Sequence, residues 1–373
     1  MKLARTDKSY LTDWWFTVDR VVLAAVMILL FLGLLMLLSA SPSVAMRRDL
    51  SPFHFVQRQI IFAVFGAGIV VAISLLNPAN IRRLALALFA ISITAMLAVL
   101  IVGPEINGAQ RWLRLGTLSF QPSEIMKPGF IILTAWAFSE GIKRSDVPAF
   151  GIAVLFYIVS GLLLILQPDC GQTLLLTAAW TSMFFLAGLA WFWVILLAGA
   201  SIFSLFLAYQ FLPHVRLRID YFLDPSGENY QIARALEVFQ KAGWFGRGPG
   251  EGSLTEHFLP DAHNDFIFAA IADEFGIIAC LILLAIYGII IFRSFWRLRR
   301  GGDPFVWLGG AGLLVLFALQ VLINMSVNLG LVPAKGMTLP FISYGGSSLI
   351  GCSIMLGMVL ALTRRVPVSD QGY

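Results

Sequence analysis

Val21-Val22-Leu23-Ala24-Ala25-Val26-Met27-Ile28-Leu29-Leu30-Phe31-Leu32-Gly33-Leu34-Leu35-Met36-Leu37-Leu38-Ser39-Ala40-Ser41 carries no charge over 21 positions. A helix needs about 20 apolar residues to cross the ~30 Å hydrocarbon core of a bilayer. The run exceeds the ~7–15 residues of a secretory signal. Ser43-Val44-Ala45 offers a small-residue cleavage pattern, but a retained first span is the better reading. Nine further runs follow, at 60–76, 84–102, 126–140, 148–167, 173–189, 191–212, 266–292, 305–331 and 344–363. The run at 126–140 is short and holds Pro128. Only Gly188-Leu189-Ala190 divides the runs at 173–189 and 191–212.

The whole chain agrees with these runs. Of its 373 residues 59% are hydrophobic and 13% charged, and mean hydropathy is +0.85. Soluble domains carry about 25% charged residues, so an ordinary cytosolic enzyme and a disordered chain are both excluded. Net charge is +5, yet the basic residues lie scattered between apolar runs, and no nucleic-acid surface results. Cys170, Cys280 and Cys352 are too far apart for a disulfide framework or a zinc site.

Lys and Arg set orientation. An inner N-terminus puts 14 of the 26 basic residues in short inner turns and tails, and both termini inside. The expected fold is an all-α integral membrane bundle of about ten helices spanning 21–363. Inner tails flank it at 1–20 and 364–373. The outer segments are 103–128, 212–265 and 332–343, and the largest lies between spans seven and eight. They hold most of the Gly, Pro and charge, so the working face is expected outside.

In the first outer segment, Arg111 beside Trp112 suits either a phosphate or an interfacial anchor. Glu124 and Lys127 lie one turn apart at a helix mouth, where they either pair or line a polar cavity. Arg216 and Arg218 suit an anionic headgroup or ordinary snorkelling. Residues 228–242 place Ile232, Leu236 and Phe239 on one face, as in an interfacial amphipathic helix. Gly246-Arg247-Gly248-Pro249-Gly250-Glu251-Gly252 lacks the strand and the Lys-Ser/Thr of a nucleotide loop.

Asp265, within Leu259-Pro260-Asp261-Ala262-His263-Asn264-Asp265-Phe266, brings a carboxylate onto the first turn of a long apolar helix. Such a group is costly at a membrane helix mouth unless used. His263 alone is a weak metal ligand. Asp273 and Glu274 are expected to be paired inside the bundle. Gln320, Asn324 and Asn328 form one polar stripe, either joining helices or lining a cavity. Lys335 sits between Pro333 and Pro340, and Ser343-Tyr344-Gly345-Gly346-Ser347-Ser348 adds hydroxyls and close backbone approach.

The strings Asn328 to Ser348, Asn107 to Lys127, Gln167-Pro168-Asp169 and Ala262 to Phe268 resemble the SEDS family of bacterial envelope polymerases. The likeness runs over nearly the whole chain. Lys335 and the charged N-terminal tail resemble the family's division branch more than its elongation branch. Cys170 and Ala242-Gly243 depart from the usual pattern.

The resemblance implies peptidoglycan glycosyl transfer on lipid II at the outer face of the cytoplasmic membrane, at the division septum. It also implies a class B penicillin-binding protein and other divisome membrane proteins as partners. The family's essential carboxylate falls on Asp265. Arg111, Lys127, Arg216, Arg218 and Lys335 would face the pyrophosphate, with Glu124, Ser343 and Tyr344 also at the substrate. An inverting transfer needs one base and not the carboxylate pair of hydrolases. No cofactor is required by the motifs, although a divalent cation, Mg or Mn, suits the pyrophosphate; no dedicated metal ligands are visible. The rival readings are a lipid flippase, which predicts functional charge on both faces, and a non-enzymatic division scaffold.

Overall fold

A computed structural model describes residues 10–47, 49, 51–106, 108–116, 118–144, 146–188, 230–248, 264–333 and 336–364, with isolated positions between 195 and 220. The helices are α1 (Tyr10–Thr17), α2 (Arg20–Ala40), α3 (Pro42–Arg47), α4 (His54–Ser74), α5 (Pro78–Val102), α6 (Pro122–Lys143), α7 (Ala149–Leu166), α8 (Cys170–Leu186), α9 (Tyr230–Lys241), α10 (Ile267–Leu298), α11 (Pro304–Asn328) and α12 (Gly346–Leu362). Six of them, α2, α4, α5, α7, α10 and α11, are long and apolar enough to cross a membrane. With α6, α8 and α12 they match nine of the ten expected spans. The run at 191–212 lies outside the described residues except for isolated positions.

Local chemistry sets the helix starts. Asn77 and Asp303 cap α5 and α11, each followed by a proline at the first helical position. Asp19 caps α2 through the amides of Val21 and Val22, at 3.0 and 3.3 Å. Asp19 is fully buried and also binds Arg293 at 2.8 Å and Arg297 at 2.5 Å, both near the end of α10. A buried carboxylate is tolerable only with such partners. Arg82, Lys143 and Arg364 gather at this same end of the bundle, the one that the charge rule assigns to the inside.

Two expectations need correction. The short Pro-bearing run at 126–140 belongs to a longer helix. It is the 22-residue α6, buried over most of its length between α5, α7, α8, α11 and α12. Pro128 has no N–H to offer the carbonyl four residues earlier, and that carbonyl, on Glu124, faces α12. A Cβ on Gly351 would come within 2.7 Å of it, so the glycine permits the contact.

The run at 266–292 is not one continuous helix either. Gly276 breaks α10 with φ +78°, a conformation that glycine adopts readily. Residues 243–248 strap the break. Arg247 N and Gly248 N donate to Asp273 O and Glu274 O, and Ile277 N and Ile278 N donate to Gly243 O and Trp244 O. Irregular backbone at membrane depth persists only where protein or a polar cavity satisfies it.

Helix α9 forms where expected, and Phe239 of the expected face packs on Phe268, but the buried face is shifted. Ala235 and Val238 are buried, Leu236 is exposed, and the helix packs on α10 and α11 rather than serving lipid alone. The side chain of Ile232 lies outside the described residues. At the end opposite Asp19, two small antiparallel hairpins precede α6. They pair β1 (Glu105–Ile106) with β2 (Ala109–Gln110) and β3 (Leu113–Leu115) with β4 (Leu118–Phe120).

Candidate active site

Two polar clusters occupy the end of the bundle that carries the hairpins. In the first, Lys127 Nζ lies 2.9 Å from Glu124 Oε1 and 3.0 Å from Gln172 Oε1. Gln172 Nε2 closes the ring on Glu124 Oε1 at 2.7 Å. All three residues are buried. Next to them Asp169 caps α8 through the amide of Gln172. Arg111 approaches the Asp169 carboxylate at 3.6 Å and donates to the carbonyls of Gln167 and Pro168. Burial pushes the Asp169 carboxyl above the usual carboxylate range, and the Arg111 guanidinium opposes that shift.

Asp265 belongs to the second cluster, at the head of the buried first half of α10. Its carbonyl accepts Asn324 Nδ2 at 3.0 Å and Asn328 Nδ2 at 2.9 Å. Asn328 Oδ1 takes the amide of Ala269 at 3.0 Å, and Asn324 Nδ2 also reaches Met337 O at 2.6 Å. A Cβ placed on Gly336 would lie 3.8 Å from Asp265 Oδ2, so the backbone there passes beside the carboxylate.

The segment expected as the outer loop 332–343 does not stay at the surface. Met337, Leu339, Phe341, Ile342 and Ser343 are buried. Tyr287, within α10, donates to Pro340 O at 2.6 Å. Phe341 O reaches Gly33, where a Cβ would come within 2.1 Å. Gly33 is seven residues from the end of α2, which at 1.5 Å per residue puts the loop roughly 10 Å into the bundle. Its backbone is satisfied by side chains. Ser343 Oγ accepts from Leu339 N at 2.8 Å and donates to Asn264 O at 2.5 Å, and Gln59 Nε2 donates to Ser343 O at 3.3 Å. The 17-residue α12 begins where the loop ends. Gln121 joins the two clusters, because its amide donates to Ser347 Oγ at 3.0 Å and its side chain to Asp169 Oδ2 at 3.3 Å.

Of the residues singled out from sequence, Arg111, Lys127 and Glu124 meet in the first cluster, and Asp265 and Ser343 in the second. Lys127 and Glu124 satisfy each other, which favours the pairing reading over a cation presented directly to a ligand. Tyr344 packs edge-on against Phe55 with ring centroids 5.1 Å apart. Arg216 pairs locally with Asp220 at 3.7 Å and is mostly exposed. Lys335, Arg218, Asp261 and His263 lie outside the described residues. Asp273 is paired as expected, with Arg247 at 3.7 Å. Among the described residues no group of three His, Cys, Asp and Glu side chains converges as a metal set would.

Sequence reasoning passed over Asp169, Gln172 and Gln121 as site residues. The signal was present, since Pro168-Asp169 ahead of an apolar run is a helix-start pattern.

The family model for cell cycle proteins, built on FtsW, RodA and SpoVE, matches residues 19–367. The chain belongs to the FtsW/RodA/SpoVE family. The FtsW-named relatives include the probable peptidoglycan glycosyltransferase FtsW of Caulobacter vibrioides, 42% identical over 98% of this chain and 94% of that one. The corresponding protein of Thiomicrospira cyclica is 36% identical over 92% and 91%. Among solved structures, a chain of a peptidoglycan synthase complex that coordinates polymerization and crosslinking superposes with TM-score 0.76 at 30% identity, over 94% of this chain and 98% of that one. The rod shape determining protein RodA of Thermus thermophilus superposes with TM-score 0.69 at 28% identity, over 94% and 97%. The FtsW/RodA/SpoVE fold is thus shared over nearly the full length.

Proposed function

We propose that this chain is a peptidoglycan glycosyltransferase that polymerises lipid II at the outer face of the cytoplasmic membrane during septal division. One observation carries the mechanism: Asp265 heads a buried half-helix, with the re-entrant backbone at Gly336 beside its carboxylate. The names of the relatives support the reaction class.

In this reading Asp265 takes the proton of the acceptor sugar hydroxyl. The oxygen attacks the anomeric carbon of the donor, the bond to the pyrophosphate breaks, and the α-linkage becomes β. The lipid pyrophosphate departs with its electron pair. Arg111, Arg218 and Lys335 supply positive charge for it, and Lys127 does so if Glu124 releases it. Mg or Mn would neutralise the same charge, carried on the donor pyrophosphate rather than by a protein ligand set. The polyprenyl tail lies in lipid along the apolar outer surface. A class B penicillin-binding protein and other divisome membrane proteins are the partners.

The test is polymerisation of purified lipid II by this chain with a transpeptidase-dead partner. Glycan strands are expected with Asp265 intact and none with Asp265→Asn. Transport of lipid II across vesicles without strand formation would instead support the flippase. Omission of divalent metal with added chelator tests the ion: reduced polymer is expected if it acts at the pyrophosphate.

A further inference from the structure

We propose that Asn324 and Asn328 are positioning residues that fix Asp265 against the re-entrant loop; this rests on the reading of Asp265 as the base. Both sit on the last turns of α11, four residues apart and buried. Their role exceeds joining two helices. Each donates its amide to the carbonyl of the same residue, Asp265.

Asn328 uses both ends of its amide on the start of α10. Its nitrogen holds Asp265 O, and its oxygen takes the amide of Ala269. Ala269 is the third residue of that helix, so its N–H is one of the four that a helix start leaves without an internal partner. The N-cap residue itself, Phe266, has no side-chain cap. The cap therefore comes from another helix, and an aspartate next to the helix start is not needed for that amide.

Asn324 performs a different task. Its nitrogen bridges Asp265 O and Met337 O, at 3.0 and 2.6 Å. Met337 follows Gly336, the residue that passes beside Asp265 Oδ2. One amide thus sets the spacing between the carboxylate-bearing turn and the loop, and α11 is the rigid bar that holds it. Gln320, one turn further along the stripe, makes its contact with Cys352 on α12 and none of these.

Catalytic groups must be held to within a fraction of an ångström, and a misplacement of about 1 Å can cost ~10²-fold in rate. Loss of either amide frees the turn without removing the base. The expected signature is a fall in kcat with little change in KM.

The experiment compares Asn324→Leu, Asn328→Leu, Gln320→Leu and Asp265→Asn, each purified with the transpeptidase-dead partner. Leucine has the same number and branching of side-chain heavy atoms as asparagine and makes no hydrogen bonds. Initial polymerisation rates are measured across lipid II concentration, per monodisperse protein, below each variant's own melting temperature. Support consists of a ~10–100-fold loss in kcat for both asparagine variants, with KM within about threefold and with Gln320→Leu near wild type. Wild-type kcat in both asparagine variants, with Asp265→Asn inactive, overturns positioning and leaves the base intact. Unchanged kcat with a raised KM also overturns it, because that marks a binding role. An active Asp265→Asn removes the base and the positioning role together.

Discussion

Asp265→Asn keeps size and much of the hydrogen bonding but cannot accept a proton. A positioned base contributes ~10²–10⁴-fold, so strand formation should nearly vanish. Membrane insertion and partner co-purification should survive. Asp261→Asn is the neighbouring control and should be milder; polymer at near wild-type rate from Asp265→Asn would sink the assignment. Asp169 makes a second prediction. Burial raises its carboxyl above the unfolded value of 3.8 despite Arg111. A group raised in the folded state contributes full stability below the unfolded value and loses it as pH rises through the folded one. Asp169→Asn should therefore melt higher than wild type at pH 8, and the gap should shrink as pH falls towards 4. Detergent melting curves at pH 8, 6 and 4.5 check this; a gap that widens on acidification contradicts it. The place of Asp265 at the head of α10 was legible because a carboxylate entering an apolar run is rare. The contacts of Asn324 and Asn328 were legible only as a stripe, since spacing along one helix does not reveal which carbonyl an amide will meet.

At the scale of the element, α6 carries the Lys127–Glu124 ion pair, whose partners are each almost fully buried, and Gln172 of α8 bonds to both. Removing one member of such a pair costs ~3–5 kcal/mol, whereas replacing both by apolar groups is often close to neutral. Lys127→Met alone should lower the melting temperature sharply, and adding Glu124→Leu should restore much of the loss. A double variant no more stable than the single one would show that the pair is not the cause. Gly276→Ala tests the break in α10. Its φ is positive, and a Cβ there would lie 2.3 Å from Trp244 O. Backbone strain of this kind costs about 1–3 kcal/mol, and the strap at 243–248 should loosen, read as faster hydrogen exchange at Ile277 and Ile278. Neither feature was open to hydropathy. A window average records Pro128 and the charges at Lys127 and Glu140 as weakness in α6, although five other helices enclose it. It also records 266–292 as one unbroken run, because a glycine that turns the chain looks the same as one that merely packs.

For the whole molecule, orientation is the property to measure. In a Cys170→Ser background, Glu105→Cys and Lys241→Cys should label with a membrane-impermeant thiol reagent in intact cells. Asp146→Cys and Arg300→Cys should label only after lysis, and the reverse pattern would invert the topology. Nine of the ten expected spans and the crowding of polar segments at one end were legible from hydropathy and composition. The descent of residues 336–343 into the bundle was not, because its buried backbone is satisfied by its own Ser343 and by Asn324, Tyr287 and Gln59, drawn from three other parts of the chain. The contact of that loop with Gly33 also bears on biosynthesis. Helix α2 is the first of the described spans to be made, yet its mid-length neighbour, Phe341, and the arginines of its capping Asp19, Arg293 and Arg297, are made in the last quarter of the chain. The first helix must wait in the membrane, with its carboxylate unpaired by these arginines and its glycine notch unfilled, until translation is nearly complete. Quality control that senses such an exposed notch would have its longest window on this helix, and a ribosome stalled before Pro340 would leave a chain that cannot close.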